Sequence, residues 1–199
     1  MPDFSIESSY KNKLVAGVDE AGRGPWAGPV IACAAIINPL LVPKGLDDSK
    51  KLSKQKREFI YAKLSQSCDF GLGIVPESVI DQINILEATK LAMRNAVNDL
   101  QRRPNVVIID GNQNLEFDDI ESEAIVKGDT KSLSIAAASV IAKVTRDKIM
   151  ENLDAEFPQY KWLTNQGYGT KEHMEAIEKY GPCKHHRKSF APIKKFYTT

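Results

Sequence analysis

Short apolar runs bounded by glycine or proline predict four β-strands in the first 110 residues. The runs are rich in β-branched residues and too short for stable helices. The last of them is continuously apolar, as expected of a central strand that is buried on both faces. The predicted strands are residues 14–18, 30–37, 69–75 and 105–109.

Helical periodicity of apolar positions predicts four longer elements between and after these strands. Ser53 is a suitable N-cap for the first helix, and Gly181-Pro182 ends the last one. The predicted helices are residues 53–64, 85–100, 134–157 and 170–180. Strands that come first and then alternate with helices favour the α/β class, with a mixed sheet covered by helices.

The composition agrees with a globular protein. The chain has 199 residues, of which 42% are hydrophobic and 27% charged, so a single domain is expected. The longest wholly apolar run, residues 30–37, is far shorter than the ~20 residues of a membrane helix. Residues 1–13 are polar and lack the apolar stretch and the small-residue cleavage site that are typical of a signal peptide. Cys33, Cys68 and Cys183 are odd in number and widely spaced, which predicts a reducing compartment, the cytoplasm.

Charge is segregated along the chain, although the formal net charge is only +1. Residues 179–199 carry basic side chains and no acidic one, a second basic group surrounds Asp47-Asp48, and residues 116–123 are acidic. Such segregation can create a local phosphate-binding face on a nearly neutral protein. The alternative is that each charge run is an ordinary solvated surface.

Acidic residues follow two of the predicted strands. Asp19 and Glu20 come directly after the first, and Asp110 follows the strand at 105–109. A third segment places Asp129 before a helix that begins with small residues. Strand ends at one edge of a sheet bring their ligands together, so we expect these carboxylates to converge. Without cysteine or histidine ligands, such a cluster favours Mg²⁺ or Mn²⁺. A solvated loop, an Asp-Gly turn and a helix cap are the alternative interpretations.

The turn Gly22-Arg23-Gly24 differs from a dinucleotide-binding loop, because its glycine spacing is wrong and a strand follows it. Glycines nevertheless expose backbone N–H and C=O groups at close range. Such groups suit a hydrogen bond to a sugar hydroxyl. An ordinary tight turn is the alternative.

Eight ordered segments resemble the ribonuclease HII family, the type 2 bacterial ribonucleases H. The resemblance covers nearly the whole chain. Its segments are 19–25 (DEAGRGP), 48–52 (DSKKL), 109–112 (IDGN), 127–129 (KGD), 134–139 (SIAAAS), 141–147 (IAKVTRD), 167–170 (GYGT) and 186–190 (HRKSF).

The resemblance implies an RNase H-like mixed β-sheet flanked by helices. Residues 1–199 would form one catalytic domain, with about 160–199 as a small, helical and basic substrate-binding portion. It also implies that Asp19, Glu20, Asp110 and Asp129 are the catalytic carboxylates and hold two divalent ions, Mn²⁺ or Mg²⁺. A regular strand would point Asp19 and Glu20 to opposite faces. The hypothesis therefore requires the strand to bend at Glu20.

The implied activity is endonucleolytic hydrolysis of the RNA strand of RNA–DNA hybrids. Cleavage would also occur 5′ of ribonucleotides embedded in duplex DNA, by a two-metal mechanism that leaves 3′-hydroxyl and 5′-phosphate ends. In the family, the Gly-Arg-Gly turn and a tyrosine read the 2′-hydroxyl, which corresponds here to Gly22, Arg23, Gly24 and Tyr168. The candidate phosphate contacts are Ser49, Lys50, Lys143, Arg146, His173 and Arg187. Solvated charges or helix caps are the alternatives for these six.

The implied partners are RNA–DNA hybrids and ribonucleotide-containing DNA. The protein is expected to be a monomer and not to bind a membrane. His185-His186 is expected to meet phosphates or solvent. Residues 193–197 weakly resemble a sliding-clamp peptide that lacks its leading glutamine, with a packed tail as the alternative.

Two other functions are alternatives to a type 2 ribonuclease H. One is another RNase H-fold nuclease, such as a junction resolvase. The other is a non-catalytic nucleic-acid-binding module, although clustered acids would not help a protein to bind a polyanion.

Overall fold

A five-stranded mixed sheet forms the centre of the computed structural model, which describes residues 1–197. The strand order is β3-β2-β1-β4-β5. β2 is antiparallel to β1 and β3, whereas β4 is parallel to β1 and β5. The predicted α/β class and mixed sheet are confirmed. The strands are β1 (Val15–Ala21), β2 (Val30–Ile36), β3 (Asp69–Val75), β4 (Val106–Asp110) and β5 (Glu121–Ile125).

β5 is the strand that the pattern of apolar positions did not predict. Its sequence, ESEAI, carries two glutamates, and all of its side chains are exposed or half-buried. It lies at the edge of the sheet, where its one strand neighbour is β4. Backbone pairing to β4 therefore forms this strand without a buried apolar face.

All four predicted helices are present, and three short ones accompany them. The helices are α1 (Ser5–Ser9), α2 (Lys54–Ser67), α3 (Glu77–Asn98), α4 (Leu133–Glu156), α5 (Trp162–Asn165), α6 (Lys171–Tyr180) and α7 (Ala191–Lys194). α3 begins earlier than predicted but is broken at Asn84, which has φ 67° and ψ 167°. The Asn84 carboxamide oxygen accepts hydrogen bonds from the backbone N–H groups of Leu86 and Glu87. It thus caps a new helical segment close to residue 85, the predicted start.

The two faces of the sheet are covered by different helices. α3 packs on the face that carries Ala16 and Val18, whereas α4 and α2 cover the opposite face. α4 comes very close to β1 at Gly17. A Cβ atom at Gly17 would lie 2.3 Å from the backbone nitrogen of Ile135. The small side chains at the start of α4 continue this close packing, as predicted.

The polar N-terminal segment is tied to the start of α4. Glu7 in α1 is buried, and its Oε1 accepts hydrogen bonds from the Ser132 hydroxyl (2.7 Å) and the Ser134 backbone N–H (2.8 Å). Residues 1–13 carry no apolar periodicity, so the sequence did not indicate this contact.

The C-terminal helices pack around a second apolar cluster that includes Trp162, Ile177 and Ile193, together with Met150 from α4. Ile193 is fully buried in this cluster, so this part of the tail is packed against the protein. Among residues 1–197, no helix combines the length and the apolar character required to cross a membrane.

Candidate active site

The parallel pairing of β1 and β4 brings two aspartates to neighbouring positions. Val18 pairs with Ile109, so Asp19 and Asp110 follow side by side. Both side chains lie on the face covered by α4, because Gly17 and Ile108, two residues earlier in their strands, contact Ile135 or its backbone. Strand register and side-chain alternation together explain why these two carboxylates converge.

Asp129 joins them from a 3₁₀ turn, Gly128–Thr130, that precedes α4. The turn is attached to β4, because Oδ1 of Asp110 accepts a hydrogen bond from the Gly128 backbone N–H at 2.7 Å. Carboxylate oxygens of Asp19, Asp110 and Asp129 lie within 4.8 Å of one another. Asp19 and Asp129 are only 5% and 6% exposed. The site is therefore a compact, mostly buried group of three acids.

Glu20 lies beside this group, near the end of β1, where it borders hollows on both sides of the strand. The predicted bend at Glu20 is wrong, because β1 continues to Ala21 and Glu20 remains paired with Ala32 of β2. Regular alternation turns its side chain toward α3, and it borders a hollow with Asp110 and Met93. Oε1 of Glu20 lies 3.4 Å from the guanidinium of Arg23. Glu20 is thus near the three aspartates without belonging to the compact group.

Mutual repulsion and burial dominate the electrostatics of the site. Burial, followed by the charges of Glu20 and Asp110, raises the pKa of Asp19 well above its ordinary value. Burial, followed by Asp110 and Asp48, raises the pKa of Asp129. Burial opposes the charge of Lys50, but Asp19, Asp129, Asp48 and Asp110 together raise its pKa. Acids that are buried together need a compensating cation.

The donor set fits a hard divalent cation. All three clustered groups are carboxylates, and no cysteine or histidine belongs to the group. Oxygen ligands of this kind favour Mg²⁺ or Mn²⁺ over zinc. Asp19, Asp110 and Asp129 are the residues that could hold it, with Glu20 at the border.

A cleft joins the carboxylates to the glycine turn. Tyr168 is 49% exposed, and a Cβ atom at Gly24 would lie 3.5 Å from its ring. The turn and Tyr168, which are separated by more than 140 positions in the chain, thus share one surface with the acids. The cleft is lined by Asp19, Glu20, Ala21, Gly22, Arg23, Gly24, Ser49, Lys50, Ser139, Lys143, Arg146 and Tyr168.

Three of the six predicted phosphate contacts retain suitable positions at this cleft. Lys50 is exposed, and Lys143 is half-buried beside Asp147, with Nζ 2.5 Å from Oδ1. Ser49 lines the cleft, but it is buried and its hydroxyl is hydrogen-bonded to that of Ser139 at 2.7 Å. These side chains remain candidates for substrate binding.

The other three predictions, Arg146, His173 and Arg187, are wrong. These side chains are at most 1% exposed. Arg146 donates to the carbonyls of Ala27, Pro29 and Gln166, and Arg187 donates to those of Gly22, Arg23 and Gly28. Because internal carbonyls satisfy the guanidinium donors and water is excluded, neither arginine is available to an external phosphate.

The histidines of the C-terminal portion are internal as well. His173 contacts the Tyr168 carbonyl through Nδ1 (2.9 Å) and His186 through Nε2 (3.1 Å). His186 is fully buried and accepts the Cys183 backbone N–H at Nδ1. His185 lies 3.3 Å from Glu77. The expectation that His185-His186 meets phosphates or solvent is wrong for His186, because the polar sequence around it gave no sign of the aromatic cluster that encloses it.

The sequence analysis did not identify two residues that lie near the site. Asp48, which contributes to the raised pKa of Asp129, caps the 3₁₀ turn Ser49–Lys51 by accepting the Lys50 backbone N–H. Arg57 donates to the carbonyls of Ser49 and Leu52. The Asp-Ser pair at 48–49 was a signal for the cap, whereas nothing local indicated the contacts of Arg57.

The family model and the relatives found by sequence agree on one family. The family model described as Ribonuclease HII matches residues 16–193. A Ribonuclease HII from Rickettsia akari is 54% identical over 185 residues, which cover 93% of this chain and 95% of the relative.

Solved structures show the same similarity. The ribonuclease H2 from Pyrococcus horikoshii OT3 superposes with a TM-score of 0.75 at 30% identity, covering 92% of this chain and 96% of that protein. The PCNA:RNase HII complex from Archaeoglobus fulgidus contains a chain with a TM-score of 0.73 at 25% identity, covering 87% of this chain and 93% of that one.

Proposed function

Because this chain belongs to the ribonuclease HII family, and is therefore a type 2 ribonuclease H endonuclease, we propose that its three-aspartate cleft cuts RNA–DNA hybrids and ribonucleotide-containing DNA. In a duplex with an embedded ribonucleotide, the strand is cut on the 5′ side of that ribonucleotide, which leaves 3′-hydroxyl and 5′-phosphate ends. The observation that carries the proposal is the convergence of Asp19, Asp110 and Asp129 within 4.8 Å, in a cleft shared with the glycine turn and Tyr168.

Asp19, Asp110 and Asp129 would hold divalent cations in this proposal, and Glu20, which lines the same cleft although β1 does not bend, completes the set of four catalytic carboxylates. When bound, two Mn²⁺ or Mg²⁺ ions supply acidity to the attacking water and neutralise charge on the leaving oxygen. The protein supplies the placement of the scissile phosphate. Lys50 and Lys143 border the cleft and orient the phosphates on either side by charge.

The ribonucleotide is recognised by its 2′-hydroxyl, which is the group that separates RNA from DNA at a single sugar. The peptide groups of Gly22, Arg23 and Gly24 contact that hydroxyl, and the exposed ring of Tyr168 packs against the same sugar. The proximity of Gly24 to Tyr168 supports a joint role. The helical, basic portion from about residue 160 onward supplies Tyr168 and serves as the substrate-binding part of a single domain.

The proposal also covers the oligomeric state, the location and a protein partner of the enzyme. The enzyme acts as a monomer in this proposal, and three free cysteines support a cytoplasmic location. A sliding-clamp contact, as in the A. fulgidus complex, would use Tyr197, which is 43% exposed, since Ile193 is buried. Stimulation of cleavage by a clamp, with loss of that stimulation in Tyr197→Ala, tests this contact.

The test of the activity is metal-dependent cleavage of a duplex that contains one ribonucleotide. We expect cleavage on the 5′ side in Mn²⁺ or Mg²⁺ and none after chelation. The all-DNA duplex of the same sequence is the matched control. Labelled ends distinguish a 3′-hydroxyl from a 3′-phosphate product. Cleavage of four-way DNA junctions, with the ribonucleotide duplex left intact, would instead identify a junction resolvase. Binding without any metal-dependent turnover would identify a non-catalytic module.

A further inference from the structure

Arg187 is a buried cation without an acidic partner. Its side chain is fully buried, and no carboxylate in residues 1–197 forms a salt bridge with it. Burial, followed by the nearby charge of Arg146, lowers its pKa. Burying an unpaired guanidinium is costly unless hydrogen bonds replace the lost water. The hydrogen-bond acceptors of Arg187 therefore determine whether its burial is compensated.

Those acceptors are the carbonyl groups of the glycine turn. Arg187 Nη2 lies 2.6 Å from the Gly22 oxygen and 2.7 Å from the Gly28 oxygen. Nη1 lies 3.0 Å from the Arg23 oxygen, and Nε lies 2.9 Å from the Gly28 oxygen. The planar guanidinium thus binds both ends of the segment from Gly22 to Gly28.

The direction of these carbonyls determines the direction of the N–H groups that follow them. A trans peptide unit is planar, with its C=O and N–H pointing opposite ways, and the described chain has no cis peptide bond. Since the Gly22 and Arg23 carbonyls point inward to Arg187, the N–H groups of Arg23 and Gly24 point away from it. Neither donates a hydrogen bond to any described residue. Both residues line the cleft beside Tyr168.

We propose that Arg187 is a specificity-determining positioning residue, which holds the Gly22 and Arg23 carbonyls inward so that the Arg23 and Gly24 N–H groups face the ribose. The inference rests on the proposed function, because it needs the turn to read a 2′-hydroxyl oxygen. Arg187 itself does not contact the substrate. A flipped peptide would present a carbonyl in place of a donor, and ribose selection would be lost while phosphate contacts remained.

Arg146 provides a matched control. It is also buried, at 1% exposure, and it too donates its hydrogen bonds to backbone carbonyls. Its side chain also lines the cleft and packs against Gly22, but its acceptors are the carbonyls of Ala27, Pro29 and Gln166, and it binds neither the Gly22 nor the Arg23 carbonyl. Arg146→Lys and Arg187→Lys each retain a positive charge but replace the fork by a single ammonium group. The two substitutions should cost similar stability and differ in their effect on ribose selection.

The experiment measures kcat/KM on a duplex with one embedded ribonucleotide and the inhibition constant of the all-DNA duplex as a competitor. For Arg187→Lys we expect kcat/KM to fall roughly 100-fold, a typical cost of a small misplacement, with the competitor's inhibition constant unchanged. For Arg146→Lys we expect a much smaller fall. If Arg187→Lys weakened binding of the all-DNA competitor by the same factor as it lowered kcat/KM, Arg187 would have a general structural role and the inference would be overturned.

A measurement on the wild-type protein covers the case in which the variants do not fold. In metal-free buffer, the amide NMR signals of Arg23 and Gly24 should shift with the ribonucleotide duplex and not with the all-DNA duplex. Identical shifts with both duplexes would refute the inference. If the wild type does not cleave the ribonucleotide duplex, the proposed function falls as well. If it does and Arg187→Lys cleaves it equally well, only the inference falls.

Discussion

Four buried charged side chains of this protein form two pairs with different surroundings. Arg146 and Arg187 donate to backbone carbonyls, so their burial is compensated within the fold. Asp19 and Asp129 instead face other acids, and the pKa of each is raised by burial and by those acids. The arginines therefore connect segments of the fold, whereas the metal-free aspartates repel one another.

Asp110→Asn should separate catalysis from folding. The amide oxygen can still accept the Gly128 N–H, while the charge that raises the pKa of Asp19 and Asp129 disappears. We expect activity to fall on the order of 10³-fold or more and the metal-free protein to gain about 1 kcal/mol in free energy of unfolding. Cleavage assays and urea titration measure the two effects. A destabilised variant would show that repulsion among the acids does not weaken the fold.

The buried pair His173–His186 predicts a loss of stability in mild acid. Burial, followed by the charge of His173, lowers the pKa of His186 to about 3, against ~6.5 in an unfolded chain. Between these pH values the unfolded state binds more protons, so the free energy of unfolding falls as pH falls. From pH 7 to pH 5 the expected loss is about 2 kcal/mol. Chemical denaturation at both pH values measures it.

His186→Asn is the control for this pH dependence. The Oδ1 of asparagine takes the place of Nδ1 and can still accept the Cys183 N–H, but the amide does not titrate. We expect a lower stability at pH 7 and a smaller decrease toward pH 5. The same decrease in both proteins would assign the acid sensitivity to other groups.

At the scale of elements, the site depends on how closely α4 approaches the sheet. Gly17 has no side chain where the backbone of Ser134 and Ile135 crosses β1. This approach places the turn of Asp129, just before α4, against the end of β4. The alternation of β1 then separates Asp19, on the α4 face, from Glu20, on the α3 face. Strand geometry therefore decides which acids form the compact group.

Gly17→Ala tests the close approach of α4. The new Cβ would lie 2.3 Å from backbone atoms of Ser134 and Ile135, so α4 must shift. We expect a loss of about 3 kcal/mol in free energy of unfolding. Gly24→Ala is the control, because its Cβ would make only an ordinary contact, 3.5 Å from Tyr168, and should change stability by less than about 0.5 kcal/mol. Equal losses in urea titrations would contradict the packing argument.

At the scale of the whole molecule, the cleft is assembled from segments that are distant in the chain. β1, β4 and the turn before α4 supply the aspartates, whereas Tyr168 comes from the C-terminal portion. That portion is joined to the glycine turn by backbone hydrogen bonds, including Trp26 N–H to the Gly167 carbonyl at 2.8 Å. The position of Tyr168 relative to the acids thus depends on the packing of the C-terminal portion against α4 and the turn.

Divalent metal should stabilise the whole molecule. A cation that binds the folded aspartates relieves their repulsion and has no preformed site in the unfolded chain. At a concentration 100-fold above its Kd, we expect Mn²⁺ or Mg²⁺ to add about 2.7 kcal/mol to the free energy of unfolding. Thermal unfolding with increasing metal measures the effect, and the shift should be absent from Asp110→Asn. An unchanged Tm in the wild type would count against a metal site here.

Much of the fold and of the acid cluster could be predicted from the sequence, because those features are encoded locally. Apolar runs and turn residues predicted four of the five strands, and the strand at 69–75 has the predicted bounds. Acids placed directly after strands indicated the convergence of Asp19 and Asp110. The sequence did not reveal β5 or α1, because one depends on pairing with β4 and the other on the contact of Glu7 with Ser132 and Ser134.

Only the tertiary structure decided which polar side chains face the substrate cleft and which are internal. Arg146, His173 and Arg187 have the same chemistry as surface residues, and no local pattern distinguishes them from Lys50. Burial depends on what packs around a side chain, and those neighbours are far away in the chain. The same reason applies to Glu20, because its distance from the three aspartates depends on whether β1 bends or continues. That outcome is set by the pairing of β1 with β2.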